Sequence, residues 1–413
     1  MSPEISTNIR NHRRCLGWSQ ERLAEAAGVS LGTVRKLEQG GIARVETLAR
    51  LAEALDVDTA VLFAPAASPE PIRDDGPSRQ QLLDLRRHLM PPVGLAEEAG
   101  PPAESDVRGG LLHDIDEAHA LYQDDRYDSV ARRLPGILSA AEGGVRAADG
   151  DEQRHQALTT RARALFLTGK YLTQVRQYDL AYQALASGIR DARAIEATPT
   201  AAVGIIGMCW LLLRQDRFAE CADLASDTAD AVEPRISKAT PEALATWGEL
   251  LLRVAAAAVR NNRKEEAKDA RRMAATAAHA IGREHIDFRS HWGAFGPATA
   301  EIKVIEDLSL KGDVRGVLRR ADTGPLHKDS LKAYGTPSSN VWGRYRLDVA
   351  RAHSLTGAHH DATGELMGLY GAQPEWMRHQ PMARRVLRKV LATRTRTLTD
   401  DMRTLASHLG ING

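Results

Sequence analysis

Six times along this chain a short polar turn is followed, at a fixed distance, by a small or medium residue and a stripe of Leu or Ala. The stretches are DDRYDSVARRL, VRQYDLAYQAL, RQDRFAECADL, RNNRKEEAKDA, LKGDVRGVLRR and LTGAHHDATGEL. Aligning their packed positions (Val130, Ala181, Cys221, Ala267, Val317 and Ala362) gives spacings of 51, 40, 46, 50 and 45 residues. A unit of that length is one antiparallel helix pair. A single pair has an apolar face it cannot bury by itself, so neighbouring pairs must stack. The expected product is an α-solenoid with a concave inner surface, spanning residues 108–413.

Composition agrees with an all-α fold. The chain has 413 residues, more than one core usually serves, so at least two domains are expected. Ala and Leu, both strong helix formers, are abundant, while alternating runs of Val, Ile, Thr and Tyr are almost absent. Three cysteines (Cys15, Cys209 and Cys221), with no CxxC pair, argue against a disulfide framework or a zinc site. The longest apolar run, Val203 to Leu213, is about half of what a bilayer needs. No signal-peptide pattern opens the chain, so a soluble, cytoplasmic protein without membrane contact is expected. The formal net charge is +1, so any nucleic-acid binding must come from a local basic surface.

Residues 1–63 read as a separate head of five short helices. Ile5, Ile9 and Leu16 give a first helix. Ser19 caps a second that buries Leu23, Ala24 and Ala27, and Gly28 supplies the turn. Ser30 caps a third helix with Val34 and Leu37 inward, ending at Gly40. Val45, Leu48, Leu51, Ala52 and Leu55 make a fourth, and Ala60 to Phe63 a short fifth. Such short helices are stable only by packing into one core.

The pattern Leu16-Gly17, Ser19-Gln20, Leu23-Ala24, Gly28-Val29-Ser30, Val34, Leu37-Glu38, Gly40, Leu48, Leu51-Ala52 and Leu55 resembles the lambda-repressor-like (Xre) helix-turn-helix family. The resemblance implies DNA reading by the start of the third helix in the major groove. It places Ser30, Leu31, Gly32, Thr33 and Lys36 toward the bases and Gln20 at a phosphate. Arg14, Arg35 and Arg44 join as phosphate contacts by proximity. Leu31 and Gly32 stand where the family often has hydrogen-bonding side chains; Leu31 could pack on a thymine methyl and Lys36 donate to guanine. The resemblance also pairs Arg13 with Glu38 as a structural ion pair.

Ala64 to Arg79 (APAASPEPIRDDGPSR) and Pro91 to Ser105 (PPVGLAEEAGPPAES) are rich in proline and small residues. Residues 64–107 therefore read as a linker, with a short helix at about residues 78 to 90. Beyond it, Tyr178 or Phe218 three residues before a small position, and Gly169, Gly312 or Gly357 near a turn, resemble the tetratricopeptide repeat in longer, irregular copies. A helix-turn-helix head on such an array resembles a class of regulators from high-GC Gram-positive bacteria and, more distantly, peptide-sensing quorum regulators. That resemblance implies a sensor.

No phosphate loop, HExxH or nucleophile elbow is present, so no enzyme and no cofactor are expected. His359-His360-Asp361 reads as a solvated turn and not a metal site. Two stretches mix aromatics with polar groups, REHIDFRSHWGAFGP and SSNVWGRYRLDVARAH. Arg289 and Arg344 could hold a carboxylate, Asn340 could bond a peptide backbone in both directions, and Trp292 could pack on a ligand. Plain packing between repeats is the stronger reading for the aromatics Trp292, Trp342 and Tyr345, and Trp210 and Trp247 read as core.

The expectation is a transcriptional regulator of a double-stranded DNA operator, a homodimer through its repeats, sensing a peptide or small molecule. The competing reading is a protein-binding repeat scaffold that its head localises to DNA.

Overall fold

The computed structural model describes residues 3–15, 18–41, 43–55, 57, 59, 62, 79–92, 108–286, 293–393 and 398–411. Among the described residues the head holds α1 (Pro3–Cys15), α2 (Gln20–Ala27), α3 (Leu31–Glu38) and α4 (Val45–Ala54). Of the expected fifth helix, Ala60 to Phe63, Leu62 is helical and the rest lies outside the described residues. Ile9, Leu23, Val34, Leu37, Leu48, Leu51 and Leu62 form a core of the head's own. Asn8 ties its ends together by donating to the Leu62 carbonyl at 3.2 Å.

Among the described residues the remainder is helices and turns with one short strand pair. It runs α5 (Arg79–Leu89), α6 (Arg108–Gln123), α7 (Tyr127–Arg146), α8 (Asp151–Gln174), α9 (Tyr178–Ala194), α10 (Thr198–Arg214), α11 (Phe218–Ala231), α12 (Pro241–Arg260) and α13 (Lys264–Ile281). After strands β1 (His285–Ile286) and β2 (Ala294–Phe295) come α14 (Pro297–Lys311), α15 (Val314–Arg320), α16 (Lys328–Tyr334), α17 (Ser339–Leu355) and α18 (His359–Ala372). The chain ends with α19 (Pro374–Arg378), α20 (Pro381–Ala392) and α21 (Asp400–Leu409).

The six aligned turns share one backbone device. Asp125, Arg176, Asp216, Asn262, Gly312 and Gly357 all have positive φ, between 59° and 80°. The next residue's amide reaches back five positions to the end of the first helix. The bonds are Arg126 N to Leu121 O (2.9 Å), Gln177 N to Leu172 O (2.8 Å), Arg217 N to Leu212 O (3.0 Å), Arg263 N to Ala258 O (2.8 Å), Asp313 N to Leu308 O (2.9 Å) and Ala358 N to His353 O (3.0 Å). These are Schellman closures, which satisfy carbonyls that a helix end leaves unpaired. The left-handed conformation costs a non-glycine residue about 1 kcal/mol or more, least for Asp and Asn, which fill three of the six places. Five residues after each turn residue sits an aligned packed position: Val130, Ala181, Cys221 and Ala362 are fully buried, and Ala267 and Val317 nearly so.

Helix α5 and the strand pair lie beyond the pair repeat, as do α16 and α19 to α21. Leu85 on α5 is fully buried in the main core, so this helix packs onto the array. The strands pair antiparallel, His285 with Phe295 and Ile286 with Ala294. Phe295 fills a notch at Gly248, where an added Cβ would fall 2.0 Å from its ring. Glu284 caps α14, accepting from the Ala298 and Thr299 amides at 2.8 and 3.0 Å.

The array curls until its ends touch. Ser339 Oγ, at the start of α17, donates to the Gln123 carbonyl at the end of α6 at 3.0 Å. The Tyr127 and His379 rings meet edge to face, 5.9 Å apart. The start of α17 therefore lies against the end of α6.

Candidate functional site

In the head, sequence and cap geometry together set the attitude of α3. Ser19 accepts from the Arg22 amide at 3.1 Å and Ser30 from the Thr33 amide at 3.0 Å. Gly28, with φ 62°, turns the chain between them. Beneath α3, Glu38 is almost fully buried and accepts from Arg13 at 2.5 and 2.9 Å. Gln20 Nε2 joins this pair, donating to Glu38 at 2.7 Å. A buried ion pair is tolerated only when its remaining lone pairs are satisfied. Here Gln20 and Arg13 share that task and lock α1, α2 and α3 together.

Ser30, Gly32, Arg35 and Lys36 are exposed on α3, and Thr33 is half-buried. Gly41 closes the turn after the helix by donating to the Lys36 carbonyl at 2.8 Å. An added Cβ there would lie 2.4 Å from the Lys36 side chain, so only glycine lets the chain pass so close. The Lys36 stem is thereby held while its surroundings stay open.

The other expected DNA-contact residues are placed less simply. Leu31 is half-buried and packs on the head core, so its apolar surface is shared with that core. Gln20 has its amide donor engaged by Glu38. Arg35 lies 3.6 Å from Glu21, a loose exposed pair. Arg44 is exposed at the start of α4. The side chain of Arg14 lies outside the described residues.

Residues 9–62 match the family model described as Helix-turn-helix. The head is a helix-turn-helix domain. The match supports a DNA-binding regulator and stops short of the helical array. The comparison with curated proteins finds no match, and neither does the comparison with solved structures. Among the described residues no helix is long and apolar enough to cross a membrane. Among them, too, no group of three or more His, Cys, Asp or Glu is placed to hold a metal ion. His359 instead contacts the Thr393 hydroxyl at 3.1 Å.

The interior of the array is polar. From α6, His119 lies 3.4 Å from Lys170 of α8, and Lys170 sits over the Tyr122 ring at 5.1 Å. Burial pushes Lys170 down to about 7. Asp116 of α6 pairs with Arg163 of α8 at 2.9 Å, and Glu249 with Arg253 on α12 at 3.0 Å. Glu306 of α14 takes Arg260 at 3.1 Å and Lys303 at 2.8 Å. Asp348 of α17 accepts from Ser309 at 2.6 Å and is pushed up to about 7, first by burial and then by the neighbouring Glu306 charge.

Arg344 of α17 is half-buried, and its charge acts on Tyr122 of the first pair and on Arg214 of the third. Asn340 lies one turn earlier on α17, with its Oδ1 buried and unpartnered. Arg289 and Trp292 lie outside the described residues. The structure thus brings together Asn340 and Arg344 and adds Arg214, Tyr122 and Lys170, which sequence reasoning missed. Trp247 is buried as expected, whereas Trp210 is half-buried beneath Arg214, 5.5 Å from its guanidinium. Tyr345 is core, and Trp342 packs edge to face on it at 5.1 Å.

Proposed function

We propose that this chain is a sequence-specific transcriptional regulator working in the cytoplasm. Its third helix would read an operator, and its helical array would pair two copies and receive a signal. The observation that carries the DNA reading is α3 itself. Ser30, Lys36 and Arg35 stand exposed on a helix whose far side is locked by the buried Arg13–Glu38–Gln20 cluster. Such a helix is pre-organised for a groove, so little ordering entropy is lost on binding. Lys36 is the base-edge or phosphate donor in this reading; Ser30 and Thr33 line the leading end. Arg44 and Arg35 supply backbone contacts, and the Gln20 amide holds Glu38.

The tetratricopeptide-like reading of the array is supported by the six equivalent turns and their buried packed positions. A pair of arrays would present two heads to half-sites about one helical turn apart. A ligand in the array would then alter DNA affinity by its differential binding to two head spacings. The buried polar groups along the first helices, such as Lys170 and Glu306, favour a small ligand over a protein partner.

The test is titration of labelled duplex DNA with the full-length protein over a series of salt concentrations. Binding whose logarithm falls linearly with the logarithm of salt is expected, reporting phosphate contacts. Absence of retardation at low salt for every duplex in a mixed-sequence pool contradicts the reading.

A further inference from the structure

Between the fifth and sixth pairs the chain does not pass directly from α15 to α17. A single turn, Gly324–Leu326, and helix α16 are inserted there, outside the pair repeat. Both ends of the insert are tied down. The Asp322 amide donates to the Tyr345 hydroxyl at 2.9 Å, and the Glu284 amide donates to the Tyr334 carbonyl at 2.6 Å. Leu326, buried, and Leu331, half-buried, join Trp342 and Tyr345 in a small core separate from the main core of the array. That core is not closed over. A pocket of about 720 Å³ opens against it, with Leu326, Leu331, Trp342, Lys328, Lys332 and Thr336 on its wall. The lining is mostly apolar. A space of this size and character falls in the range that holds small organic ligands.

The charges at the wall narrow the choice. Asp322 also lines the pocket, but its Oδ1 is taken by the Tyr345 hydroxyl at 3.1 Å and by Arg346 at 2.8 Å. His327 caps α16, its Nδ1 accepting from the Asp329 amide at 3.3 Å. Lys332 pairs with Asp329 at 3.3 Å. Lys328 is exposed and has no anion partner among the described residues. We propose that this pocket binds an amphiphilic monoanion, with an apolar body against Leu326, Leu331 and Trp342 and one carboxylate at Lys328. A lysine stem can lie along an apolar wall while its ammonium stays in water, where a carboxylate at the pocket mouth meets it. Trp342 packs edge to face on Tyr345 at 5.1 Å, and the Arg346 guanidinium lies 6.0 Å from its ring. The apolar wall is thus set before a ligand arrives, which lowers the ordering cost of binding. Such a ligand would bridge the insert and α17, the helix whose Ser339 makes the closing contact with Gln123.

This inference names a class of signal and so rests on the array being the sensing part of the regulator. Its test uses no DNA, so its failure leaves the head's reading standing. The full-length protein is titrated by calorimetry with octanoate and 1-naphthylacetate, each beside its neutral amide. At least one acid should bind saturably to the wild type, about two- to fivefold more tightly than its amide, as an exposed charge pair adds. Binding of octanoate alone assigns an alkyl body, and of 1-naphthylacetate alone an aromatic one. Lys328→Gln should bind the acid as weakly as the amide and leave amide binding unchanged. Thr336→Trp, at an exposed position on the wall, should fill the pocket and lose both acid and amide at an unchanged Tm. The proposal is overturned if neither acid binds saturably, if Lys328→Gln keeps the full preference for acid over amide, or if Thr336→Trp binds as the wild type does.

Discussion

Ser339 and Gln123 are 216 positions apart in sequence and joined by one hydrogen bond of 3.0 Å. That bond and the nearby Tyr127–His379 contact close the helical array on itself. It follows that the N-terminal pair is held from both ends of the chain. Ser339→Ala should cost about 1 kcal/mol, the usual net value of a single such bond. Its larger effect should be local. Amide exchange around Tyr122 to Arg126 should quicken in the variant while exchange in α12 stays unchanged, as read by hydrogen exchange with mass detection.

Glu38 holds the head together electrostatically. Glu38→Gln leaves Arg13 buried without a counter-charge, which costs about 3–5 kcal/mol when a buried pair is broken on one side. A head of this size should then unfold, seen as an early thermal transition distinct from that of the array. The paired change Arg13→Met with Glu38→Leu should recover much of the loss, since an apolar pair of similar volume has no stranded charge. A single unchanged transition for Glu38→Gln would disprove the assignment.

The pH dependence of stability should carry the mark of Asp348. Its carboxyl is pushed up to about 7 in the fold, so the native state holds that proton more tightly than the unfolded chain does. The stability it contributes is full at low pH and falls as pH rises from about 4 to about 7. Asp125, also pushed up to about 7, acts in the same window, and Lys170 acts with opposite sign above it. Asp348→Asn removes one share only. Relative to the wild type, it should gain between about 1 and 4 kcal/mol on going from pH about 4 to pH about 8 in urea titrations.

Gly312 and Gly357 occupy equivalent turns but differ in their neighbours. An added Cβ at Gly357 meets nothing within 4 Å, whereas at Gly312 it would fall 2.4 Å from Arg22 Nε of the head. Gly357→Ala should cost only the backbone strain, about 1 kcal/mol. Gly312→Ala should cost as much and also displace Arg22, speeding amide exchange in α2. Equal exchange in α2 for both variants would show that the contact with the head does not persist in solution.

Much of this fold is legible from local pattern. The six packed positions from Val130 to Ala362 could be aligned because the turn residue lies five places before each one, and the head's caps could be read because Ser19, Gly28 and Ser30 act on their own neighbours. The interior is legible only once the turns set a register. Counting six residues back from each turn residue gives His119, Lys170, Trp210, Ala256, Glu306 and Arg351, mostly polar and on the first helices. Arg344 and Asn340 stood out because aromatics surround them. Arg214 lies at the end of an apolar run with no such marker, so it was missed. The closure from Ser339 to Gln123 and the Gln20 bond to Glu38 depend on distant backbone, which no local spacing encodes.

The central claim, that α3 reads DNA, is tested most directly by selecting bound duplexes from a random pool. Full-length wild type and Lys36→Ala are compared. The account predicts that the wild type enriches an inverted repeat with half-sites about one helical turn apart. Lys36→Ala, with an unchanged Tm, should bind that sequence about 5- to 100-fold more weakly. Enrichment of no sequence by the wild type, or equal binding by Lys36→Ala, would contradict it.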